Sequence, residues 1–552
     1  MDHLGFLDTK KRLTIRIIAK SLKSQNFLLH FFNTNYPEWL PVAENQKDIV
    51  FTASVRELSL FYKTPFSDYG QEIYCPEWHP VVPGQIIKHI VSTIGLETQV
   101  KQTPAGIHFF PLDATGQTSF FTADCVAKLY SFPTTPPGVL PGTGSRIGIV
   151  QLGGSFSQTE LNTYFAQHSL GRAPTVNVVL LNGATQAPNS ASIEVALDVQ
   201  IIAAICPGAS ITIYFAPNSI AGFYDCISAA GKNSDIVSVS WGCDETSIPS
   251  SYLISFENLI STLPCPVFIA SGDNGAKNST DTGLSVSFPA SCPHSIACGG
   301  TTLTCNPEKT RILSETAWSG SGGGYSYFFP KPKWQANILQ NSKRGVPDIC
   351  GNADPNTGYA VYTVATGSIV VGGTSAVAPL MSALFCLVNQ LNSTKLSSVS
   401  TLYSLSSSVG TYRDVIKGFN GAYNANSGWD AIAGLGVPIG SAVQSALIPP
   451  ESAPNPPPAL PAPPAKNPLA NVSIVSVSPP IIRSSVSSKI TLLGNNLNTI
   501  TAIHLQGRKA VITRFTKKSL TLISPKLSSG ETSIDVTSTS GKQLIAGKLL
   551  VK

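Results

Sequence analysis

The sequence predicts an α/β protein with a doubly wound parallel sheet, preceded by a small α+β module and followed by a β-sandwich. Three observations lead to this prediction. In the middle of the chain, continuous apolar runs that end in Gly or Asp alternate with helical stretches, as buried parallel strands and their connecting helices do. A proline-rich segment then interrupts the chain, and short β-branched runs follow it. Finally, 552 residues exceed what one ordinary core accommodates.

The composition narrows the function classes. Charged residues make up 12% of the chain, about half of the ~25% usual in soluble proteins. Such a surface suits work in acid, where carboxylates lose their charge. The net charge of +6 is small and the basic clusters, as at Lys517 and Lys518, are short. They are interpreted as solvated faces, so nucleic-acid binding is not predicted. No 18 apolar residues follow one another, so no membrane span is expected.

Residues 1–105 are predicted to form the α+β module. The runs "RLTIRIIAKS" and "DIVFTASV" are expected strands, and "PGQIIKHIVSTIGL" is an expected helix. Residues 119–448 are predicted to form the large α/β domain. Its expected strands are "RIGIVQLGG", "ASITIYFAP", "DIVSVSWG" and "CPVFIASGD", and "SIEVALDVQIIAAI" is an expected helix. Functional sites in such sheets lie at the carboxyl ends of the strands.

Residues 449–468, "PPESAPNPPPALPAPPAKNP", are too rich in proline to fold and are predicted to be a stiff, extended linker. Residues 469–552 contain short runs such as "SKITLLGNNL", "SLTLISP" and "TSIDVTST", separated by Pro, Gly, Asn and Ser. This pattern is typical of a small immunoglobulin-like β-sandwich.

The cysteines do not indicate a metal site. There are 11, with no Cys/His spacing of the kind that binds zinc. Cys206, Cys298 and Cys386 lie in apolar runs and are predicted to be buried as small hydrophobic residues. The sequence neither predicts nor excludes a disulfide such as Cys292–Cys305. The N-terminus lacks the charged-then-apolar plan of a secretory signal.

Ser375 is the candidate nucleophile. It lies in "VVGGTSAVAPLMSALFCLV", where a glycine-rich turn precedes an apolar, helical run. A nucleophilic serine needs a base, usually histidine. The large domain has two histidines, and each has an ordinary alternative role. His168 is expected at the end of a helix, where it favours the helix dipole, and His294 precedes a strand. A histidine base is therefore possible but is not the favoured interpretation.

Two carboxylates offer a better base. Glu194 and Asp198 are four residues apart in "SIEVALDVQIIAAI", so they share one face of a helix that is apolar almost all round. Buried carboxylates are costly unless they are partnered or protonated. One interpretation is a capping or salt-bridging pair. The other is a coupled pair that shares a proton, in which Glu194 takes the serine proton and Asp198 orients Glu194.

A third acid follows a strand. Asp273 ends the run "CPVFIASGDNG", where an aspartate flanked by glycine is often only a turn former. If it faces Ser375 in acid, its neutral carboxyl can donate a hydrogen bond to an oxyanion.

The stretches "EVALDVQ", "IVSVSWG", "ASGDNG", "GGGYSYFFPKPKWQ", "RGVPDICGNADPNTGY" and "VGGTSAVAPL" together resemble the sedolisin family of serine-carboxyl peptidases, in particular its kumamolisin-like members. The resemblance implies a subtilisin-like fold and an endopeptidase that acts on proteins or peptides at acid pH. It also implies Ser375 as the nucleophile, Glu194 as the base, Asp198 as its partner and Asp273 as the oxyanion acid.

The same resemblance implies one structural Ca²⁺ ion, whose ligands lie in "YRDVIKG" and "ANSGWDAIAGLG". They are the side chains of Asp414 and Asp430 and the backbone carbonyls of Val415, Asn426 and Gly428, hard oxygen donors of the kind that calcium prefers.

Further implications concern the ends of the chain. Residues 1–105 resemble a pro-segment that inhibits the enzyme until it is removed, with self-cleavage expected between Lys101 and Ser119 and the mature enzyme beginning near "FTADCVAKLYSFP". The tail resembles an IPT/TIG domain. An extracellular location is expected although no signal peptide is recognised.

The sequence departs from the family pattern at two positions. Gln151 stands where close relatives place a glutamate that extends the acid network through the tryptophan matching Trp241. An amide cannot pass a proton in the same way, so we expect a shifted pH optimum or a lower activity. Ser287 stands where some relatives carry an aspartate, so a preference for Arg or Lys at the cleavage site is not expected. The alternative function is an inactive peptidase-like scaffold that binds through its tail.

Overall fold

The structure is a computed structural model. It describes residues 5–44, 47–70, 73–76, 82–96, 103–104, 108–111, 120–278, 283–392, 395–406, 408, 410–447, 473–479, 481–483, 486–495, 497, 500–516, 518–538 and 543–551. The chain divides into two compact units, Met1–Glu451 and Ser452–Lys552. The predicted linker, residues 449–468, lies outside the described residues. The predicted separation of residues 1–105 from 119–448 stays a prediction, because both belong to one unit.

The N-terminal module is α+β. Its elements are β1 (Gly5–Phe6), β2 (Arg12–Ala19), α1 (Leu22–Asn35), β3 (Val42–Ala43), β4 (Asp48–Ser54), α2 (Val55–Tyr62), β5 (Phe66–Gly70), β6 (Ile73–Pro76), α3 (Gly84–Ile87) and β7 (Ile90–Ile94). One sheet has the order β3-β4-β2-β7 and another β1-β5-β6. A cluster around Phe32 and Trp39 forms the core of this module.

One prediction for this module is wrong in part. The stretch "PGQIIKHIVSTIGL" was expected to be helical, but only Gly84–Ile87 is a helix, and Ile90–Ile94 pairs antiparallel with β2 as strand β7. Its residues alternate between buried and half-buried, which is the period of a strand, and β-branched Ile, Val and Thr favour that conformation. Hydrogen bonding to β2 therefore selects the strand conformation of this stretch over the helical one.

Two short strands, β8 (Thr103–Pro104) and β9 (His108–Pro111), connect the module to the large domain. That domain contains α4 (Ala123–Leu129), β10 (Arg146–Gln151), α5 (Gln158–Gln167), β11 (Asn177–Leu180), α6 (Ser192–Ile205), β12 (Ser210–Phe215), α7 (Ile220–Asn233), β13 (Ile236–Val239), β14 (Trp241–Asp244), α8 (Ser250–Ile260), β15 (Val267–Ala270), β16 (Ser287–Phe288), β17 (Ile296–Cys305), β18 (Ile312–Ala317), β19 (Gly324–Pro330), β20 (Lys343–Val346), β21 (Ile349–Asn352), β22 (Tyr359–Thr363), β23 (Gly367–Gly372), α9 (Val377–Leu391), α10 (Val399–Leu405), β24 (Tyr412–Arg413), β25 (Val437–Pro438) and α11 (Gly440–Leu447).

The main sheet of this domain has the order β11-β12-β10-β13-β15-β17-β18, with β21 also paired to β17. All neighbours are parallel except β17 and β18. The four predicted strands and the predicted helix form as expected, and the doubly wound parallel sheet is confirmed. Helices α6 and α9 share one large apolar core. Both are buried almost all round, as apolar helices inside a large domain are.

The tail is a two-sheet β-structure, as predicted. Its strands are β26 (Ser473–Ser478), β27 (Ile481–Ile482), β28 (Lys489–Asn495), β29 (Ile500–Leu505), β30 (Arg508–Lys509), β31 (Val511–Phe515), β32 (Ser519–Ile523), β33 (Gly530–Ser538) and β34 (Gln543–Val551). One sheet has the order β26-β28-β32-β31 and the other β27-β34-β33-β29-β30. A core of aliphatic side chains such as Leu492, Ile503 and Leu522 is buried in this unit.

The cysteines pack as the sequence predicted. Cys206, Cys298 and Cys386 are fully buried. Cys292 and Cys305 are both free thiols, and they belong to different apolar clusters, so the bridge left open by the sequence is not formed. One helical stretch among the described residues, Thr374–Leu391, is long and apolar enough to cross a membrane, and most of it is buried inside the domain.

Candidate active site

The two acids of α6 lie inside the large domain. Glu194 and Asp198 are fully buried, one helical turn apart on a helix whose other residues are nearly all apolar. No cation is recorded as a partner of either carboxylate among the described residues, so the salt-bridge interpretation is not supported. Neither oxygen of Glu194 makes a hydrogen bond of good geometry with a described residue, although the hydroxyls of Ser375 and Ser240 lie close enough to affect its pKa. The domain therefore encloses an unpaired carboxyl group beside a hydrogen-bonded one.

Asp198 is held by two neutral donors. Its Oδ2 accepts from Gln151 Nε2 at 2.7 Å, and its Oδ1 accepts from Ser240 Oγ at 2.7 Å. Gln151 is the last residue of β10 and in turn accepts from Trp241 Nε1 at 2.8 Å. Ser240 lies between β13 and β14, at the carboxyl end of a central strand. These contacts orient Asp198 while leaving Glu194 free to interact with another group.

Ser375 lies on the turn between β23 and α9. Strand β23 ends at Gly372, and Gly373 has a φ of +124°, which favours glycine because side chains with a Cβ are strained there. A single 3₁₀ turn, Thr374–Ala376, then leads into α9. The carbonyl of Ser375 lies 3.1 Å from Ser240 Oγ, so it and Asp198 Oδ1 share the single hydrogen that this hydroxyl can donate. The Ser375 hydroxyl is buried and has no recorded partner in the described part of the chain.

Asp273 is anchored on one side. Its Oδ1 accepts from both the backbone N–H and the hydroxyl of Thr374, each at 2.7 Å. Its Oδ2 is buried and unpartnered within the described residues. Because Thr374 is the neighbour of Ser375, the two hydrogen bonds place this carboxyl beside the candidate nucleophile. The free Oδ2 can donate a hydrogen bond when Asp273 is protonated.

Burial controls the charge of all three acids. It raises the pKa of Glu194, and the nearby hydroxyls of Ser375 and Ser240 oppose that shift. Burial and then the charge of Glu194 raise the pKa of Asp198 well above its ordinary value, against the bonds from Ser240 and Gln151. Burial likewise raises the pKa of Asp273 well above its usual range. The site therefore retains protons on carboxyl groups and can exchange one with a hydroxyl.

The two histidines make other contacts. His168 is the C-cap of α5, as predicted, and its ring packs edge-on against Tyr164. His294 pairs with Glu257 and packs against Trp334. The side chains recorded around the Ser375 turn are instead carboxyls and hydroxyls.

The structure adds two residues that the sequence did not single out. Ser240 bonds both Asp198 and the Ser375 backbone, and Thr374 bonds Asp273. The position of Ser240 at a strand end was a usable signal. Nothing local to "GGTSA" indicates that the threonine, rather than the serine, holds Asp273. Ser287 is buried on β16, and its hydroxyl donates to the carbonyl of Cys243 at 3.5 Å.

The predicted calcium ligands occupy two neighbouring loops. Asp414 Oδ2 accepts from Gly428 N and Asp430 Oδ2 from Asn426 N, both at 2.8 Å. Burial raises the pKa of Asp430, and the charge of Asp414 adds to the shift, so the two carboxylates lie within electrostatic range. The described residues contain no cluster of three or more His, Cys, Asp or Glu side chains. Two carboxylates close together without a recorded cation fit a hard metal ion whose other ligands are carbonyl oxygens, as Val415 could supply.

The connecting strands lie on both sides of Ser375. Strand β8 pairs antiparallel with β14, where Thr103 faces Gly242 and Pro104 faces Trp241. Strand β9 pairs antiparallel with β23, where His108 faces Gly372. One partner strand follows Ser240, and the other precedes the Ser375 turn. The segment that joins the N-terminal module to the large domain thus pairs with strands that flank the candidate site.

Comparison with known proteins identifies the family. Kumamolisin from Bacillus sp. (strain MN-32) is 38% identical over 412 residues, which cover 67% of this chain and 73% of that protein. The chain belongs to the sedolisin family of serine-carboxyl peptidases. Sedolisin from Pseudomonas sp. (strain 101) is 29% identical over 481 residues, covering 76% of this chain and 80% of that protein. A model of the IPT/TIG domain matches residues 473–550 of the present chain.

A solved structure supports the same family. Pseudomonas sedolisin complexed with two molecules of pseudo-iodotyrostatin superposes with a TM-score of 0.54 and 26% identity, covering 60% of this chain and 98% of that one. The kumamolisin-like resemblance, the subtilisin-like fold and the IPT/TIG tail are therefore confirmed. The present chain is therefore a serine-type peptidase, and its substrates are proteins or peptides.

Proposed function

We propose that this sedolisin is an endopeptidase that acts in acid and uses Ser375, Glu194, Asp198 and Asp273. The observation that carries the proposal is the enclosure of a hydroxyl and three carboxyls of raised pKa around one turn, with no recorded cation among the described residues. In such a site carboxyl groups must both accept and supply protons, and they can do so only where some of them are protonated.

In the proposed reaction, Ser375 Oγ attacks the scissile carbonyl carbon, and its proton moves to Glu194. Asp198, oriented by Gln151 and Ser240, holds the one proton that the acid pair shares before the attack, so Glu194 is ionised and is neutralised when it accepts the serine proton. The oxyanion accepts a hydrogen bond from protonated Asp273 Oδ2. Glu194 then gives its proton to the leaving amine, and water repeats the sequence to release the acyl group.

The pH dependence follows from these roles. At low pH the Glu194/Asp198 pair becomes fully protonated and no base is left. At high pH Asp273 loses the proton that the oxyanion needs. Activity is therefore expected in acid, between the pKa at which the acid pair takes up its second proton and the pKa of Asp273.

The direct test is a pH profile of kcat/KM on a protein substrate for wild type, Ser375→Ala and Glu194→Gln. A bell-shaped profile in acid for wild type, with both variants inactive across the range, supports the proposal. A neutral optimum, or activity that survives Glu194→Gln, contradicts it. Absence of hydrolysis by wild type at every pH would instead favour an inactive scaffold that binds through its tail.

We also propose that the N-terminal module is a pro-segment that inhibits the enzyme and is removed by self-cleavage. The pairing of β8 and β9 with strands on both sides of Ser375 supports this role. The cut is proposed between Lys101 and Ser119. Incubation of the purified chain at pH 4, followed by N-terminal sequencing, tests both points, with Ser375→Ala as the uncleaved control. We also propose that the enzyme is secreted, which is tested by assaying peptidase activity in the culture medium.

Binding of one structural Ca²⁺ ion is proposed at Asp414 and Asp430, with the carbonyls of Val415, Asn426 and Gly428. The ion would neutralise two adjacent carboxylates and fasten the loops that carry them. Its role is structural, and no chemical step depends on it.

A further inference from the structure

The tail carries the positive charge of the chain. Residues 473–551 contain ten of the 37 Lys and Arg residues but only two of the 31 acidic ones, Glu531 and Asp535. No acid occurs between Glu451 and Glu531. The net charge of +6 therefore resides in this domain, and the remainder of the chain is slightly acidic. Such an asymmetry indicates electrostatic binding of an anionic partner by the tail.

Five of these cations lie on two consecutive edge strands and the loops beside them. Strand β30 is an edge of one sheet and β31 an edge of the other, and the two strands are consecutive in the chain. We name the following exposed side chains on and beside these strands the basic edge: Arg508, Lys509, Arg514, Lys518 and Lys526. Arg508 and Arg514 are six residues apart, so the basic edge extends about 20 Å in an extended chain.

Local contacts fix the backbone of this edge but leave its charges available. Arg508 Nη1 donates to the carbonyl of Lys526 at 2.8 Å, which brings the loop after β32 next to β30. Gln506 ties the same loop down through Ser528, accepting from its N–H and donating to its carbonyl, both at 2.9 Å. Across the described residues no ion pair is recorded for the five cations of the basic edge. A set of exposed cations without recorded counter-charges in the described part of the chain favours a polymer with repeated single negative charges.

The amino-acid composition of the domain narrows the class of polymer that the basic edge can bind. Its one aromatic residue is Phe515, and it has no Trp or Tyr. Neutral sugars and unpaired nucleobases are commonly bound by stacking on aromatic rings, so charge must dominate here. In the acid proposed for the enzyme, carboxylate polymers lose charge, whereas sulfate esters and phosphodiesters keep it, so a phosphodiester polymer is compared in the test. We propose that the basic edge binds a sulfated polysaccharide and holds the peptidase near substrates associated with that polymer.

The test uses the full chain carrying Ser375→Ala, so that it stays intact. Binding to immobilised dextran sulfate and to neutral dextran is measured at pH 4 over a series of NaCl concentrations. The edge variant is Arg508→Gln, Lys509→Gln and Arg514→Gln together. The matched control replaces three exposed cations of the large domain by Gln: Arg172, Lys232 and Arg311. We expect salt-dependent binding to dextran sulfate alone, about tenfold weaker in the edge variant and unchanged in the control.

Equal weakening in both triple variants, or binding to neutral dextran as strong as to dextran sulfate, overturns the proposal. Tighter binding to duplex DNA would assign the edge to nucleic acid, and tighter binding to phosphatidylglycerol vesicles would assign it to a membrane surface; either result also overturns it. If the edge variant does not fold, Arg508→Gln and Arg514→Gln are measured singly, each with an expected two- to threefold loss, roughly its share of the combined effect. Hydrolysis of a soluble protein by the edge variant with Ser375 retained is expected to equal wild type, so this proposal and the peptidase mechanism fail independently.

Discussion

Gln151 donates from Nε2 to Oδ2 of Asp198 at 2.7 Å, while its Oε1 accepts from Trp241 Nε1 at 2.8 Å. An indole N–H can only donate, so the tryptophan fixes the amide with its NH₂ group toward the acid. Asp198 Oδ2 is thereby held as an acceptor of the amide, while Oδ1 lies 2.7 Å from the hydroxyl of Ser240. The glutamate expected at this position from the family would place a third ionisable group in the network.

The first prediction concerns this amide. The bond from Gln151 lowers the pKa of Asp198, so Gln151→Leu raises it, and the acid pair takes up its second proton at a higher pH. The acid limb of the kcat/KM profile should move upward by about one pH unit. The matched control is Gln200→Leu, a buried glutamine of α6 whose amide, among the described residues, bonds the backbone of Tyr362. A shift of the same size in the control would contradict the role of Gln151.

Ser240 is expected to position the acid pair. Ser240→Ala removes the donor to Asp198 Oδ1 and to the Ser375 carbonyl, and leaves both acceptors buried. The loss of one charge-assisted hydrogen bond predicts a decrease in kcat of about tenfold to a hundredfold. Ser238→Ala, two residues earlier on β13, removes a buried hydroxyl with no recorded partner among the described residues and should leave kcat nearly unchanged. Steady-state kinetics at the optimum pH compares the two variants.

Asp273 is expected to act through a hydrogen on Oδ2. Asp273→Ala should lower kcat by about 10²–10³, the usual effect of removing one oxyanion donor. Asp273→Asn keeps an acceptor for Thr374 and supplies a permanent N–H donor. Because that donor does not titrate, the basic limb of the pH profile should move upward or flatten. If the basic limb is identical in Asp273→Asn and wild type, Asp273 does not control it.

A buried ion pair joins the N-terminal module to the large domain. Arg16 pairs with Glu44 at 2.8 Å and Asp48 at 3.0 Å in its own module, and also with Asp225 of α7. Asp225→Asn removes the charge of this pair, while Arg16 keeps its other partners and Tyr224 of α7 still donates to Asp48 at 3.2 Å. The variant should release the cleaved module sooner, seen as a shorter lag before activity appears at pH 4.

The control for this variant is Asp235→Asn, which breaks the more exposed pair with Arg146 inside the large domain. Exposed pairs contribute little to stability, so its lag should equal that of wild type. An unchanged lag in Asp225→Asn would show that the ion pair does not contribute to holding the pro-segment.

Calcium is expected to stabilise the folded enzyme. Addition of Ca²⁺ to chelator-treated Ser375→Ala protein should raise Tm, because a ligand bound only by the native state adds RT ln(1 + [L]/Kd) to its stability. Asp414→Asn should abolish the shift. Asp354→Asn, which changes a buried acid in a separate turn, should retain it. Equal Tm shifts in all three proteins would place the ion elsewhere.

Much of the scaffold could be predicted from local sequence. Long β-branched runs specified the strands of the main sheet, and the apolar helix Ser192–Ile205 formed with the predicted bounds because its residues favour burial on every side. Ser375 and the two acids of α6 were visible as polar groups in apolar surroundings. The stretch Ile90–Ile94 was mistaken for helix because its conformation depends on a hydrogen-bonding partner, strand β2, that is distant in the chain.

The sequence by itself indicated the candidate nucleophile and the three carboxyls of the site, and the family resemblance marked the amide of Gln151. Only the tertiary structure decided which of them bond to one another. Ser240 joins Asp198 to Ser375 because strand β13 ends between helices α6 and α9, and Thr374 rather than Ser375 takes Asp273 because of the turn after Gly373. Hydrogen bonds depend on distance and direction, and residues so far apart in the chain acquire both only when their helices and strands pack together.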